Sequence, residues 1–233
     1  MKRKYPNPFA TLTKTEWLLW GGSLAAIALT LLLSGGCDLM VLFALLVGAT
    51  ALIFVSKGDP LGQLLTIVFA VIYGVISFRF RYWGEMITYV GMTAPMAVAA
   101  LISWLRHPFE EGKAEVEITE ISKKTWAAVL LLTAAVTAVF YRILRFLDTA
   151  QLFWSTVSIA TSFSACALTY LRSPYYAAAY SANDVVLMIL WYLAARKDAG
   201  YYPMILCFAI FLCNDVYGFW NWRRMRQRQR KQA

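Results

Sequence analysis

Charged residues, histidine and cysteine motifs are scarce in this sequence. Only 15% of the 233 residues are charged, whereas soluble domains average about 25%. The single histidine, His107, has no cysteine or carboxylate ligand set beside it, so it is a poor metal site. The cysteines form no CxxC pair, and three of the four lie in apolar runs, so they do not indicate a disulfide framework. We therefore expect no metal centre and no cofactor.

Signatures of the common enzyme classes are also missing. The chain contains no GxxxxGK[ST], GxSxG or HExxH, and no paired carboxylates outside the acidic stretch at 106–125. Without a phosphate-binding loop, the sequence shows no motif for ATP hydrolysis. We therefore expect that this protein is not an enzyme and that any transport is not driven directly by ATP.

What the chain has in abundance is apolar sequence, 60% of all residues, arranged in runs long enough to cross a membrane. A helix needs about 20 apolar residues to span the hydrocarbon core. Eight such runs predict an all-α polytopic membrane protein. The predicted spans are 17–34, 37–56, 61–79, 84–105, 126–145, 150–171, 176–195 and 201–222.

Basic residues are distributed unevenly between the two sides of the predicted membrane. With eight spans both termini lie on one side, and 16 of the 22 Lys and Arg lie on that side. Because cytoplasmic loops carry the excess of Lys and Arg, we expect both termini in the cytoplasm. Six of these charges follow the last span, where they indicate anionic lipid rather than nucleic acid as the partner.

The second half of the chain weakly repeats the first with an offset of 118 positions, which places Trp104 on Trp222. Spans two to four then match spans six to eight, and the fifth span is a connector. The offset is four spans, so both copies cross the membrane in the same direction, a plan that places the binding site between the halves. The sequence predicts a 3+1+3 core of two parallel three-helix bundles plus an extra N-terminal helix. The predicted segments are an N-terminal segment (1–16), the extra helix (17–34), the first bundle (37–105), a linker (106–125), the connector (126–145), the second bundle (150–222) and a basic tail (223–233).

Two Asn-Asp pairs lie inside apolar spans, Asn183-Asp184 in the seventh and Asn214-Asp215 in the eighth. A charged side chain near the bilayer centre costs about 2.5–3.5 kcal/mol, so these residues should face protein or a ligand. Hydrogen bonds between helices are the structural alternative, at about 0.6 kcal/mol each. Because an asparagine can donate to and accept from a polar ligand, two pairs at similar depth favour a binding site.

Other polar and aromatic residues are predicted to line the same cavity. Gln63 enters the third span and is followed by Tyr73, while Tyr89 and Thr93 lie one turn apart on the fourth. Trp191 and Tyr217 follow the two Asn-Asp pairs on their own spans. From the residues alone, the candidate substrate-binding side chains are Gln63, Tyr73, Tyr89, Thr93, Asn183, Trp191, Asn214 and Tyr217.

Four stretches, KGDPLGQ, YWGEMITYVGMTAPMAVAALISWLR, SPYYAAAYSANDVVLMILW and NDVYGFWNWRR, resemble the PnuC family of nicotinamide riboside (nicotinamide mononucleotide) transporters. The resemblance runs from about Trp17 to Arg224. It implies two three-helix bundles joined by one helix, a homotrimer in a bacterial plasma membrane, and facilitated diffusion of the riboside with later trapping by a cytosolic kinase. It also implies that Asn183 and Asn214 match polar pocket positions and that Trp154 matches the aromatic one.

One departure from the family pattern concerns the substrate. Many riboside-transporting members carry W-x-x-W at the end of the first bundle, where this chain has Leu101 and Trp104. Relatives in the superfamily carry thiamine or riboflavin. The family resemblance as a whole nevertheless predicts import of nicotinamide riboside by alternating access. The alternatives are another B vitamin, with or without proton coupling through Asp184 or Asp215, and a membrane scaffold that transports nothing.

Overall fold

The computed structural model describes residues 7–33, 38–79, 83–149, 151–197 and 201–232, and within these ranges it is helical, without strands. Eight helical segments are long and apolar enough to cross a membrane, which confirms the predicted fold class. The helices, after a short 3-10 turn at Phe9–Thr11, are α1 (Lys14–Leu33), α2 (Leu39–Ser56), α3 (Pro60–Arg79), α4 (Trp83–Thr88), α5 (Ala94–Arg106), α6 (Lys123–Phe146), α7 (Leu152–Tyr170), α8 (Tyr176–Ala195) and α9 (Tyr202–Gln232).

The fourth span is one helix interrupted by a wider turn. Between α4 and α5 the residues Tyr89–Thr93 form a π-helical turn, in which the Ala94 N–H donates to the Tyr89 carbonyl. Pro95 follows at once, and a proline inside a helix removes one backbone donor. Turns of this kind are frequent at functional sites because they shift the direction of the side chains that follow.

The helices form two three-helix groups with a connector. Helices α2, α3 and α4–α5 pack together, as do α7, α8 and α9, and the two groups meet where α2 contacts α9 and α5 contacts α7. Helix α6 packs on α7, and α1 packs on α2 and α9. This arrangement agrees with the expected core of three helices, a connector and three helices, preceded by an extra helix.

The turns that join α2 to α3 and α7 to α8 are built in the same way. Gly58 and Arg172 both adopt left-handed backbone conformations, with φ of 67° and 56°. The Gly58 N–H donates to the Val55 carbonyl, and the Arg172 N–H donates to the Thr169 carbonyl. A proline follows two residues after each of these positions, at Pro60 and Pro174. The two halves therefore share a local construction that identical residues at only a few positions would not reveal.

The linker and the basic tail differ from the predicted division. We expected a solvated linker at 106–125 and a separate tail from 223, but α9 continues to Gln232 and the linker packs against it. Val116 is fully buried, its carbonyl accepts from the Gln229 side chain at 3.0 Å, and Gln229 Oε1 accepts from the Ile118 N–H at 2.9 Å. The linker also contacts both turns, because the Val116 N–H donates to the Gly58 carbonyl and the Thr119 N–H donates to the Arg172 carbonyl.

Close backbone contact between α2 and α3 requires the glycine at position 62. A Cβ atom there would lie 2.4 Å from the Val55 backbone nitrogen and 2.9 Å from the Phe54 carbonyl carbon. We expect Gly62→Ala to lower the free energy of unfolding by about 1–3 kcal/mol, because backbone must move to admit the methyl group. Thermal unfolding of the purified protein measures this. Gly22→Ala is the control, since nothing lies within 4 Å of its Cβ position; equal stability of the two variants would contradict the prediction.

Candidate functional site

A cavity of about 540 Å³ lies between the two three-helix groups. Pockets for small organic ligands commonly have volumes of about 300–1,000 Å³. Its wall includes the exposed residues Asp148 and Lys197, near the connections after α6 and α8, so its mouth is at that end of the molecule. From there it extends inward to Val55 and Asp215.

Three large aromatic side chains, Trp104, Tyr176 and Trp222, form a buried cluster with Val55 at the opposite end of the cavity, which we call the closed end. Each is at most 1% exposed. The Trp104 and Trp222 rings lie 5.4 Å apart, and Tyr176 lies 4.7 Å from Trp222. The Trp104 indole N–H donates to the Thr169 carbonyl and that of Trp222 to the Val55 carbonyl, both at 2.9 Å. Each bond joins one three-helix group to the other.

Asn183 of α8 lines the cavity with a fixed amide orientation. Its Oδ1 accepts from the Thr161 hydroxyl at 2.8 Å and from the Ser162 hydroxyl at 3.0 Å. With the carbonyl oxygen occupied by two donors, the Nδ2 group is the part of this amide that can donate to a ligand. Two hydroxyls of α7 therefore orient this residue.

Asp184 and Asp215, which we call the acid pair, line the inner part of the cavity. Both are buried, and their carboxyl groups lie close to each other across the contact between α8 and α9. The Oδ2 atom of Asp184 has no hydrogen-bond partner among the described residues. Buried acceptors of this kind are normally paired, so this atom is suited to accept a hydrogen bond from a ligand hydroxyl.

Three rings from α3 and the fourth span, Phe69, Tyr73 and Tyr89, form a ring cluster in the cavity wall. The Tyr73 and Tyr89 ring centroids are 4.5 Å apart, and Phe69 lies 5.6 Å from Tyr73 and 5.8 Å from Tyr89. The Tyr73 hydroxyl donates to Glu85 Oε2 at 3.0 Å, and Glu85 also lines the cavity. The cluster therefore combines flat apolar faces with a carboxylate.

Six of the nine sequence-predicted site residues lie in the cavity wall. They come from both three-helix groups and are Gln63, Tyr73, Tyr89, Thr93, Asn183 and Trp191.

Asn214 and Tyr217 are placed away from the cavity, although both were predicted to line it. The Asn214 Nδ2 group donates to the Ser23 hydroxyl at 3.0 Å and to the Ile210 carbonyl at 2.8 Å. The Tyr217 hydroxyl donates to Glu16 Oε1 at 3.0 Å, and Glu16 also pairs with Lys57 at 2.9 Å. Both residues face α1, and the stripe of α9 that reaches the cavity is the neighbouring one that carries Asp215.

Trp154 is also absent from the cavity wall, and its ring packs 5.2 Å from that of Phe153. The face of α7 that lines the cavity carries Ser155, Ser158 and Ser162, spaced three and four residues apart. Its helical spacing is the same signal for a packing face and for a cavity wall, so spacing alone did not separate the two.

Within the described residues, no group of three or more His, Cys, Asp and Glu side chains could hold a metal ion.

Comparison with known proteins identifies the same architecture. A sequence model described as "Nicotinamide mononucleotide transporter" matches residues 38–224, which leaves α1 outside the matched region. The nicotinamide riboside transporter PnuC of Neisseria mucosa is 25% identical over 189 residues, covering 79% of this chain and 72% of the relative. The PnuC protein of Haemophilus influenzae is 21% identical over 182 residues, covering 78% and 77%.

A solved structure has the same fold. The crystal structure of the vitamin B3 transporter PnuC superposes with a TM-score of 0.81 at 24% identity and covers 95% of both chains. Because the family model matches most of the chain, including every helix that lines the cavity, this protein belongs to the nicotinamide mononucleotide transporter family.

Proposed function

We propose that this protein imports nicotinamide riboside through the cavity by facilitated diffusion, with the two three-helix groups alternately exposing the cavity to each side. The observation that carries the proposal is the cavity itself, which lies between two parallel groups of three helices, open at one end and closed at the other. Both relatives named above are nicotinamide riboside transporters, so thiamine and riboflavin are not favoured.

The polar groups of the cavity match those of a riboside. Asn183 offers an amide donor, and Gln63 offers a second amide at the wall near Val55. Asp184 Oδ2 supplies an acceptor for a ribose hydroxyl. The flat pyridinium ring suits the ring cluster, because a cation over an aromatic face gains about 0.5–2 kcal/mol.

The charges of the cavity favour the riboside over its mononucleotide. Among the described residues, the only basic side chain in the cavity wall is Lys197 at the mouth. Four acidic residues line the cavity, namely Glu85, Asp148, Asp184 and Asp215. Phosphate sites in proteins typically use arginine forks or clustered donors. A phosphate inside this cavity would meet acidic side chains and, among the described residues, no basic side chain other than Lys197.

The location and assembly that we infer follow from the sequence. The excess of Lys and Arg on one side supports cytoplasmic termini. With the termini there, the cavity mouth would face outward and the closed end would face the cytoplasm. The family resemblance supports a homotrimer in a bacterial plasma membrane, with trapping of the imported riboside by a cytosolic kinase.

Calorimetric titration of the purified protein tests this function. We expect saturable binding of nicotinamide riboside, and binding of the mononucleotide weaker by a factor of about ten or more, equivalent to about 1.4 kcal/mol. Thiamine serves as the control ligand and should bind poorly. Equal or tighter binding of the mononucleotide would contradict the charge argument, and no binding of the riboside would contradict the proposed function.

A further inference from the structure

Glu85 stands at a position whose sequence suggested no role in binding. It lies in the first turn of α4, where a carboxylate is favoured by the helix dipole whatever its function. The structure turns this side chain into the cavity, where Oε2 accepts a hydrogen bond from the Tyr73 hydroxyl on the facing helix α3. The carboxylate is therefore held against the ring cluster rather than released to solvent.

No basic side chain forms an ion pair with Glu85 among the described residues. The ion pairs found there involve Glu16, Asp38, Glu110, Glu115 and Glu120. A carboxylate in a partly desolvated site without a cationic partner is costly, and an incoming cation reduces that cost. Among the described residues, Glu85 therefore has no balancing positive charge, and a positively charged ligand would supply one.

The ring cluster sits where such a cation would be held. Glu85 and Tyr89 are four residues apart and so lie on one face of the helix. Tyr73, whose hydroxyl holds the carboxylate, is itself a member of the cluster, 4.5 Å from the Tyr89 ring. A flat ring against this cluster therefore comes near the carboxylate, and a positive charge on that ring interacts with both the carboxylate and the aromatic faces.

We propose that Glu85 determines specificity for the positive charge of the substrate ring, with Tyr73 as the residue that positions its carboxylate. This inference rests on the proposed function and adds to it the part of the substrate that is recognised. The protein distinguishes the cationic pyridinium riboside from a neutral riboside of the same shape. The acid pair lines the same cavity, and Asp184 Oδ2 is assigned to a ribose hydroxyl. Substitution of Glu85 alone therefore measures the contribution of this carboxylate.

The test compares two ligands of nearly identical shape, nicotinamide riboside and its neutral isostere in which the ring nitrogen is replaced by carbon. In Glu85→Gln we expect the affinity for the cation to fall about tenfold while the affinity for the neutral isostere changes less than about twofold. Glu85→Asp keeps the charge and should retain part of the preference for the cation. Tyr73→Phe, which removes the positioning hydroxyl, should lower the preference in the same direction by a smaller factor. Titration of each purified variant with both ligands measures these ratios.

Glu110→Gln is the matched control, because it removes one negative charge from the linker, where Glu110 pairs with Lys113. It should change neither affinity. If Glu85→Gln weakens both ligands equally, or neither, the residue has only a structural role and the inference is overturned. If the unchanged protein binds neither ligand, the proposed function fails together with the inference, and this result is distinguishable because it appears before any substitution is made.

Discussion

Replacing Asn183 with alanine should lower uptake of nicotinamide riboside about 10- to 100-fold without lowering the amount of protein in the membrane. The substitution removes an amide of the cavity wall whose oxygen accepts from the Thr161 and Ser162 hydroxyls, which leaves its Nδ2 group to donate to a ligand. Loss of a ligand hydrogen bond in a partly desolvated site costs about 1–3 kcal/mol when a polar partner is left unpaired. Initial uptake at low substrate concentration, normalised to surface protein, measures the effect.

Asn214→Ala is the control for this prediction, because it removes the same side chain from the neighbouring helix at a position outside the cavity. Asn214 binds the Ser23 hydroxyl of α1 and the Ile210 carbonyl, and it is 1% exposed. We expect the free energy of unfolding of this variant to fall by about 1–3 kcal/mol and its affinity for the riboside to stay the same. A loss of affinity as large as that of Asn183→Ala would show that the amide of Asn214 faces the substrate in another conformation.

The contrast between Asn183 and Asn214 shows what the sequence could decide. Polar residues inside apolar spans must face protein or ligand, and this cost argument was sufficient to find both Asn-Asp pairs. It did not decide which stripe of α9 faces the cavity, because Asn214 and Asp215 are only one residue apart. That choice depends on α1, because the Ser23 hydroxyl of α1 accepts a hydrogen bond from the Asn214 Nδ2 group. Contacts between helices so far apart in the chain are not visible in the spacing of residues on one helix.

Glu85 was missed for a different reason. A carboxylate in the first turn of a helix is already explained by the helix dipole, so the sequence offered no reason to assign Glu85 a second role. Tyr89 and Thr93 were found because they lie one turn apart, but the π-helical turn between them was not predicted. The eight spans, by contrast, followed directly from the lengths of the apolar runs, since every backbone polar group in a membrane must be paired within a helix.

Replacing both Trp104 and Trp222 with phenylalanine should make the closed end open more often. Each indole N–H donates to a carbonyl of the other three-helix group, Trp104 to Thr169 and Trp222 to Val55. Phenylalanine keeps an aromatic ring but removes the donor. Two hydrogen bonds at about 0.5–1.5 kcal/mol each amount to about 1–3 kcal/mol, which shifts the ratio of open to closed states by roughly 5- to 150-fold.

A single cysteine at position 177 reports this opening, because Ala177 is fully buried beside the closed end. The substitution Ala177→Cys is made in a protein whose native cysteines have been replaced. A membrane-impermeant maleimide applied from the linker side should then label position 177 faster in the double tryptophan variant than in the parent. The two single variants should each give about half of the free-energy change, because the two bonds are equivalent in the repeated halves.

Trp20→Phe separates this effect from a general loss of tryptophan hydrogen bonds. The Trp20 indole donates to the Thr50 hydroxyl at 3.0 Å, which joins α1 to α2 without crossing between the two three-helix groups. In the Trp20→Phe variant, the rate of labelling at position 177 should match that of the parent. If Trp20→Phe accelerates labelling as much as the double substitution does, the indole bonds at the closed end stabilise the fold as a whole and do not hold the two groups together. If only the double substitution does so, opening of this end requires the two groups to separate at Trp104 and Trp222, as alternating access through the cavity demands.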